Sequence, residues 1–131
     1  MMANEKPVHG TFCWNELMTR DSAAAQKFYG ELVGWDFAGS KMPGMKYTIL
    51  KAGEKEAAGM MDMPAEVPAE VPSHWMAYIT VDDVDTLAGK VAGLGGQVLH
   101  GPMDMPGVGR FCTVQDPTGA VVGFITFPEK K

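Results

Sequence analysis

Two stretches of the chain carry the same succession of signals at a nearly fixed offset. Asp21 and Asp83, then Gly34 and Gly96, are 62 positions apart; Pro43 and Pro106, in two Met-Pro-Gly turns, are 63 apart; Lys46 and Arg110, then Gly59 and Gly123, are 64 apart. The drift of one or two residues falls in loops. In the first half, Phe12, Trp14, Glu16 and Met18 alternate with Thr11, Cys13, Asn15 and Leu17, the period of a strand over about 11–19. A helix follows, capped by Asp21 or Ser22, with an apolar stripe of Phe28, Tyr29, Leu32 and Val33 that Gly34 ends. Three short strands come next, around 35–39, 46–51 and 57–62. The second half repeats the order: a strand from Trp75 into Asp83, a helix over 84–94, and strands at 97–100, 110–115 and 120–127, the last two joined by an Asp-Pro-Thr-Gly turn. Each half is a βαβββ unit, and two copies of one unit at a fixed period make a repeat architecture.

The units span about 8–63 and 73–127, joined by 64-PAEVPAEVP-72, whose prolines and lack of core periodicity predict an extended linker. A chain of 131 residues holds one domain with a real core and not two, so 1–131 is expected to be a single domain. A second repetition, Met-Asp-Met-Pro at 61–64 and 103–106, is out of register with the first and reads as coincidence in a chain with 11 methionines.

Charge and composition exclude several function classes. A net charge of -5 with scattered lysines and arginines offers no footprint for nucleic acid or anionic lipid. No apolar run approaches the roughly 20 residues of a membrane span, and the start lacks a signal-peptide core, so a cytoplasmic location is expected. Cys13 and Cys112 are far apart with no metal or redox spacing, and are expected as reduced thiols.

The ordered set of two βαβββ units, the helix ending FYGELVGW, the run GPMDMPGVGR and the late DPTG turn resembles the vicinal-oxygen-chelate superfamily, which includes glyoxalase I, bleomycin-resistance proteins and extradiol dioxygenases. The likeness covers roughly Val8 to Phe127. It implies an α+β fold in which each unit curls a four-stranded sheet into half a cup, the two together forming a cup-shaped mixed sheet with helices outside and small ligands within. It also implies a homodimer. Metal-using members place a His or Gln on the first strand of each unit and a Glu on the last. Counting from the caps and turns puts Trp14, Gly59, Met76 and Gly123 at those places, and none of them supplies a ligand for the usual divalent ion. No metal and no cofactor is therefore expected.

Strand alternation sends Phe12 and Glu16 to the side of Trp14, and His74 and Tyr78 to the side of Met76. Glu16 and Tyr78 occupy matching places in the repeat. Two readings stand: Tyr78 hydrogen-bonds the Glu16 carboxylate, or the apolar wall raises the Glu16 pKa and makes it, with Tyr78, a catalytic pair. Phe12, Trp14, His74 and Met76 are candidate ligand-binding residues. Arg110 is another, able to clamp an anionic group or to close its loop on backbone. Trp35, Phe37 and Trp75 are expected to fill core between helix and sheet, and His9 and His100 are weaker candidates than His74. The expected function is binding of a small, largely apolar or aromatic molecule without a metal. The alternatives are a glyoxalase-like lyase or isomerase using Glu16, and a regulatory module that binds another protein.

Overall fold

The computed structural model describes residues 8–39, 47–105 and 108–128. Its elements are β1 (Phe12–Thr19), α1 (Ser22–Val33), β2 (Asp36–Gly39), β3 (Tyr47–Ala52), β4 (Lys55–Asp62), β5 (His74–Thr80), α2 (Val84–Val91) with a 3-10 turn at Ala92–Leu94, β6 (Gln97–Met105), β7 (Gly109–Gln115) and β8 (Val121–Thr126). This is the βαβββ order twice. The Met-Pro-Gly turn at 42–44 and Lys46 lie outside the described residues, as do Pro106 and Gly107. Chain contacts divide the protein into two compact units, Trp14–Met76 and Ala77–Lys131 with Met1–Cys13.

In the unit Trp14–Met76 the sheet runs β2-β3-β4-β1, with β1 and β4 parallel and the other pairs antiparallel. Helix α1 starts because the Asp21 carboxylate accepts from the Ala24 N–H at 3.0 Å. It stops at Gly34, whose φ of 76° only glycine adopts without cost. Leu17, Leu50, Ala58 and Met60 form the buried centre, with Ala25, Tyr29, Trp35 and Phe37 packed against it. Among the described residues of this unit no helix lies on the opposite face of the sheet.

The 64–72 stretch is not extended. Val67 N–H donates to Pro64 O and Val71 N–H to Pro68 O, so each Pro-Ala-Glu-Val copy folds back as a turn. Arg20 holds the second copy, donating from Nε to Val71 O at 2.9 Å and from Nη2 to Pro68 O at 2.8 Å. Carbonyls presented by the turns, which a reading by composition alone overlooks, make this compact arrangement possible.

In the other unit, which β5 enters at Ala77, the sheet runs β5-β8-β7-β6, with β5 and β8 parallel. Val81, Val84, Val91, Cys112 and Val114 make the core under α2. The last helical turn tightens to 3-10 and ends at Gly95, with φ 89°, so the match to Gly34 is Gly95 and not Gly96. Strand β6 runs on to Met105, past the predicted end at 100.

The Asp116 carboxylate closes the turn before β8, accepting from Thr118 N, Thr118 Oγ1 and Ala120 N. These bonds, that from the Thr118 hydroxyl foremost, hold its pKa below the ordinary 3.8. Their stabilisation is therefore complete above that value and is lost as the pH falls through the folded pKa beneath it. Asp116→Asn is expected to lower the denaturation midpoint at neutral pH, with the gap to the native chain closing below about pH 4. A gap that stays constant down to pH 2 contradicts this account.

Candidate functional site

Paired residues on adjacent strands project to the same face of a sheet. Because Leu17 and Met60 pack under α1, their neighbours Glu16 and Gly59, themselves partners in the parallel ladder, face the helix-free side. Trp14, two residues before Glu16, shares that face. On β3, Ile49 pairs with Gly59 and Tyr47 with Met61, which brings Tyr47 to it as well. Glu16 is 2% exposed and Tyr47 is 6% exposed. The Trp14 indole N–H donates to the Tyr47 oxygen at 3.0 Å. That bond takes one lone pair of the phenol and turns its own hydrogen away from the indole.

Gly59 is what lets Tyr47 lie there. A Cβ on residue 59 would fall inside the Tyr47 hydroxyl, with the ring carbons next to it. The phenol thus stands in the place of a side chain on residue 59, over the ladder partner of Glu16.

The other unit repeats the device with a different ring. Tyr78 pairs with Gly123, and a Cβ on residue 123 would run into the Tyr78 ring. Phe111 meets Tyr78 edge to face with ring centroids 6.4 Å apart, and His100 lies 6.0 Å from Phe111. Through the repeat, Glu16 corresponds to Tyr78 and Tyr47 to Phe111. The two flanks of the glycine therefore hold an acid and a phenol in one unit, and a phenol and a phenyl ring in the other.

The remaining candidates divide. Met76 is buried, at 8% exposure, whereas Phe12 is 70% exposed. His74 Nδ1 lies 2.9 Å from Pro72 O, and since a carbonyl only accepts, that nitrogen carries the proton. Arg110 is committed elsewhere. Its guanidinium forks onto Asp85 of α2, at 2.8 and 3.1 Å, and reaches Asp104 at 3.2 Å, which raises its pKa and ties β7 to the helix. It sits on the helix-bearing side because it alternates with Phe111 and keeps phase with Cys112. Burial raises the pKa of both thiols, Cys13 and Cys112, which leaves them poor nucleophiles. Sequence reasoning passed over Tyr47 and Phe111 and ranked His100 below His74. For the first two the signal was present, since the same offset of 64 that pairs the glycines pairs them.

The four places where a metal-using member would carry its ligands do not fit a divalent ion. Trp14 offers only an N–H, already given to Tyr47, and Met76 offers a thioether. Gly59 and Gly123 have rings where a carboxylate would start. Among the described residues no three His, Cys, Asp or Glu side chains converge.

The sequence model of the Glyoxalase/Bleomycin resistance protein/Dioxygenase superfamily matches residues 11–124. The chain belongs to that superfamily. Within it, the Mycobacterium bovis protein named "Putative glyoxylase CFP32" is 44% identical over 113 residues, covering 86% of this chain and 42% of that one. "Anthracycline biosynthesis protein DnrV" of Streptomyces peucetius is 33% identical over 123 residues, covering 85% and 45%. The chain thus spans less than half the length of these curated relatives. The solved methylmalonyl-CoA epimerase from Mycobacterium tuberculosis shares the superfamily fold with a TM-score of 0.63 at 12% identity, over 96% of this chain and 95% of that one. A variant homoprotocatechuate 2,3-dioxygenase from B. fuscum aligns with a TM-score of 0.61 at 19% identity, over 95% and 36%. No described helix is long and apolar enough to cross a membrane.

Proposed function

We propose that the chain binds a small, largely apolar or aromatic molecule on the helix-free faces of its sheets, without the metal of its superfamily. The observation that carries this reading is the pair of tyrosine seats, Tyr47 over Gly59 and Tyr78 over Gly123, which close the carboxylate positions and line both faces with rings. Aromatic walls with a few placed polar groups, here Glu16 and the tyrosine hydroxyls, are the usual make-up of a small-molecule site. The name of the Streptomyces relative supports an aromatic ligand, because anthracyclines are built on fused aromatic rings. Two free cysteines support a reducing, cytoplasmic setting. The exposed apolar residues Phe28, Leu32 and Val33 of α1 support pairing of two chains.

The test is a titration with alizarin, a dihydroxyanthraquinone, followed by tryptophan fluorescence in the presence of EDTA. Saturable quenching is expected, with an affinity that added Ni, Zn or Mn does not change. No quenching, or quenching only after a divalent ion is supplied, overturns the proposal.

A second reading rests on Glu16 itself. A carboxylate at 2% exposure with a phenol over its ladder partner is the kind of group that serves as acid or base in a glyoxalase-like lyase or isomerase.

A further inference from the structure

The two units have the same elements in the same order, so each serves as a control for the other. In Trp14–Met76 the space between helix and sheet is filled by aromatic rings. Tyr29 stacks on Trp35 with centroids 5.4 Å apart, Trp75 meets both edge-on, and the Trp75 indole N–H donates to the Tyr29 hydroxyl at 3.1 Å. Phe37 completes the packing.

In the other unit those positions are small. Counting from the cap aspartates Asp21 and Asp83, Tyr29 becomes Val91; counting from the left-handed glycines Gly34 and Gly95, Trp35 becomes Gly96 and Phe37 becomes Val98. Beside those positions lies an open pocket of about 440 Å³ between α2 and the strands, lined by Leu87, Val91, Gly96, Val114 and Phe124 among others. That volume lies within the range of about 300–1,000 Å³ typical of ligand pockets. Its lining is mainly acidic, with Asp82, Asp83 and Asp116 against Lys90 and with His9 3.6 Å from the Asp82 carboxylate. Hydrogen bonds, from the Thr86 hydroxyl foremost for Asp83 and from the Thr118 hydroxyl foremost for Asp116, hold both carboxyls below the ordinary aspartate value.

We propose that this cavity under α2 is a second binding site, which takes a planar aromatic of one or two rings bearing a cationic amine. The ring lies in the pocket beside the positions that correspond to Tyr29 and Trp35, and the amine faces the carboxylate rim. The site lies on the helix-bearing side of its sheet and does not depend on the function proposed above.

Calorimetric titration with tryptamine, indole and indoleacetate at low ionic strength tests it. Tryptamine is expected to bind about tenfold more tightly than indoleacetate, with indole between them, and salt is expected to narrow the spread. Val91→Phe, which puts a ring back, is expected to weaken tryptamine about tenfold or more. Asp82→Asn, a change to a side chain 67% exposed whose carboxylate lies 3.6 Å from His9, is expected to weaken tryptamine while leaving indole unaffected. If tryptamine does not bind at millimolar concentration, binds no better than indoleacetate, or binds Asp82→Asn as well as the native chain, the proposal fails. Undiminished binding by a folded Val91→Phe also overturns it.

Discussion

Gly59→Ala is expected to destabilise the protein by about 1–3 kcal/mol, the usual cost of overpacking a full site. The added methyl has no room: it would coincide with the Tyr47 hydroxyl, and the nearest further atoms belong to the same ring. Tyr47 must swing away, which breaks its bond with the Trp14 indole. Gly39→Ala is the control, because a Cβ there meets nothing within 4 Å. Urea denaturation should show a lower midpoint for Gly59→Ala and little change for Gly39→Ala. Gly123→Ala should behave like Gly59→Ala, since a Cβ there would run into ring carbons of Tyr78. Gly59→Glu, which restores the carboxylate of the metal-using members, should take up no stoichiometric Ni, Zn or Mn while Tyr47 remains. Equal midpoints for Gly59→Ala and Gly39→Ala would show that the phenol moves aside freely.

Tyr47→Phe removes one oxygen and leaves the ring. The Trp14 indole N–H then loses its acceptor in a half-buried position, and the cost should be about 1–3 kcal/mol. If Tyr47 and Glu16 act as one polar group around Gly59, a cycle of Tyr47→Phe, Glu16→Gln and the double variant should show a coupling of about 0.5–3 kcal/mol. Additive effects mean that the two side chains act separately. The same variants decide between binding and catalysis. Should the chain turn over the hemithioacetal of methylglyoxal and glutathione, loss of that turnover in Glu16→Gln at unchanged stability would identify the carboxylate as the acid or base. Alizarin affinity that survives in Glu16→Gln, with no turnover in the native chain, leaves the binding function alone.

The two βαβββ units were legible because their signals are local and occur twice: a cap aspartate, an apolar stripe, a glycine stop and alternating strands. The membership that follows from them is borne out by the superfamily match over residues 11–124. What escaped was set by tertiary partners. Two adjacent glycines, Gly95 and Gly96, cannot be ranked by sequence, since only the φ of the first shows which one takes the left-handed turn. The glycine and proline at 101 and 102 read as the end of a strand, yet β6 continues through them. Arg110 offered no hint of Asp85, which is 25 residues away and on another element. The helix-free faces were half legible. Alternation placed Glu16, Trp14, Met76 and Tyr78, but a glycine carries no sign that a distant ring covers it, so Tyr47 was missed.

The residues at 59 and 123 are both glycine, while the side chains around them differ. When a protein is assembled from identical single units, a substitution enters every copy at once, and an acid gained in one place is gained in all. A chain that holds its duplication in tandem is released from that symmetry. Here one unit carries Glu16 and Tyr47 about its glycine and the other Tyr78 and Phe111, so the two copies present different chemistry within one chain. Exchanging the pairs between the copies would show how far each side chain depends on the unit that holds it.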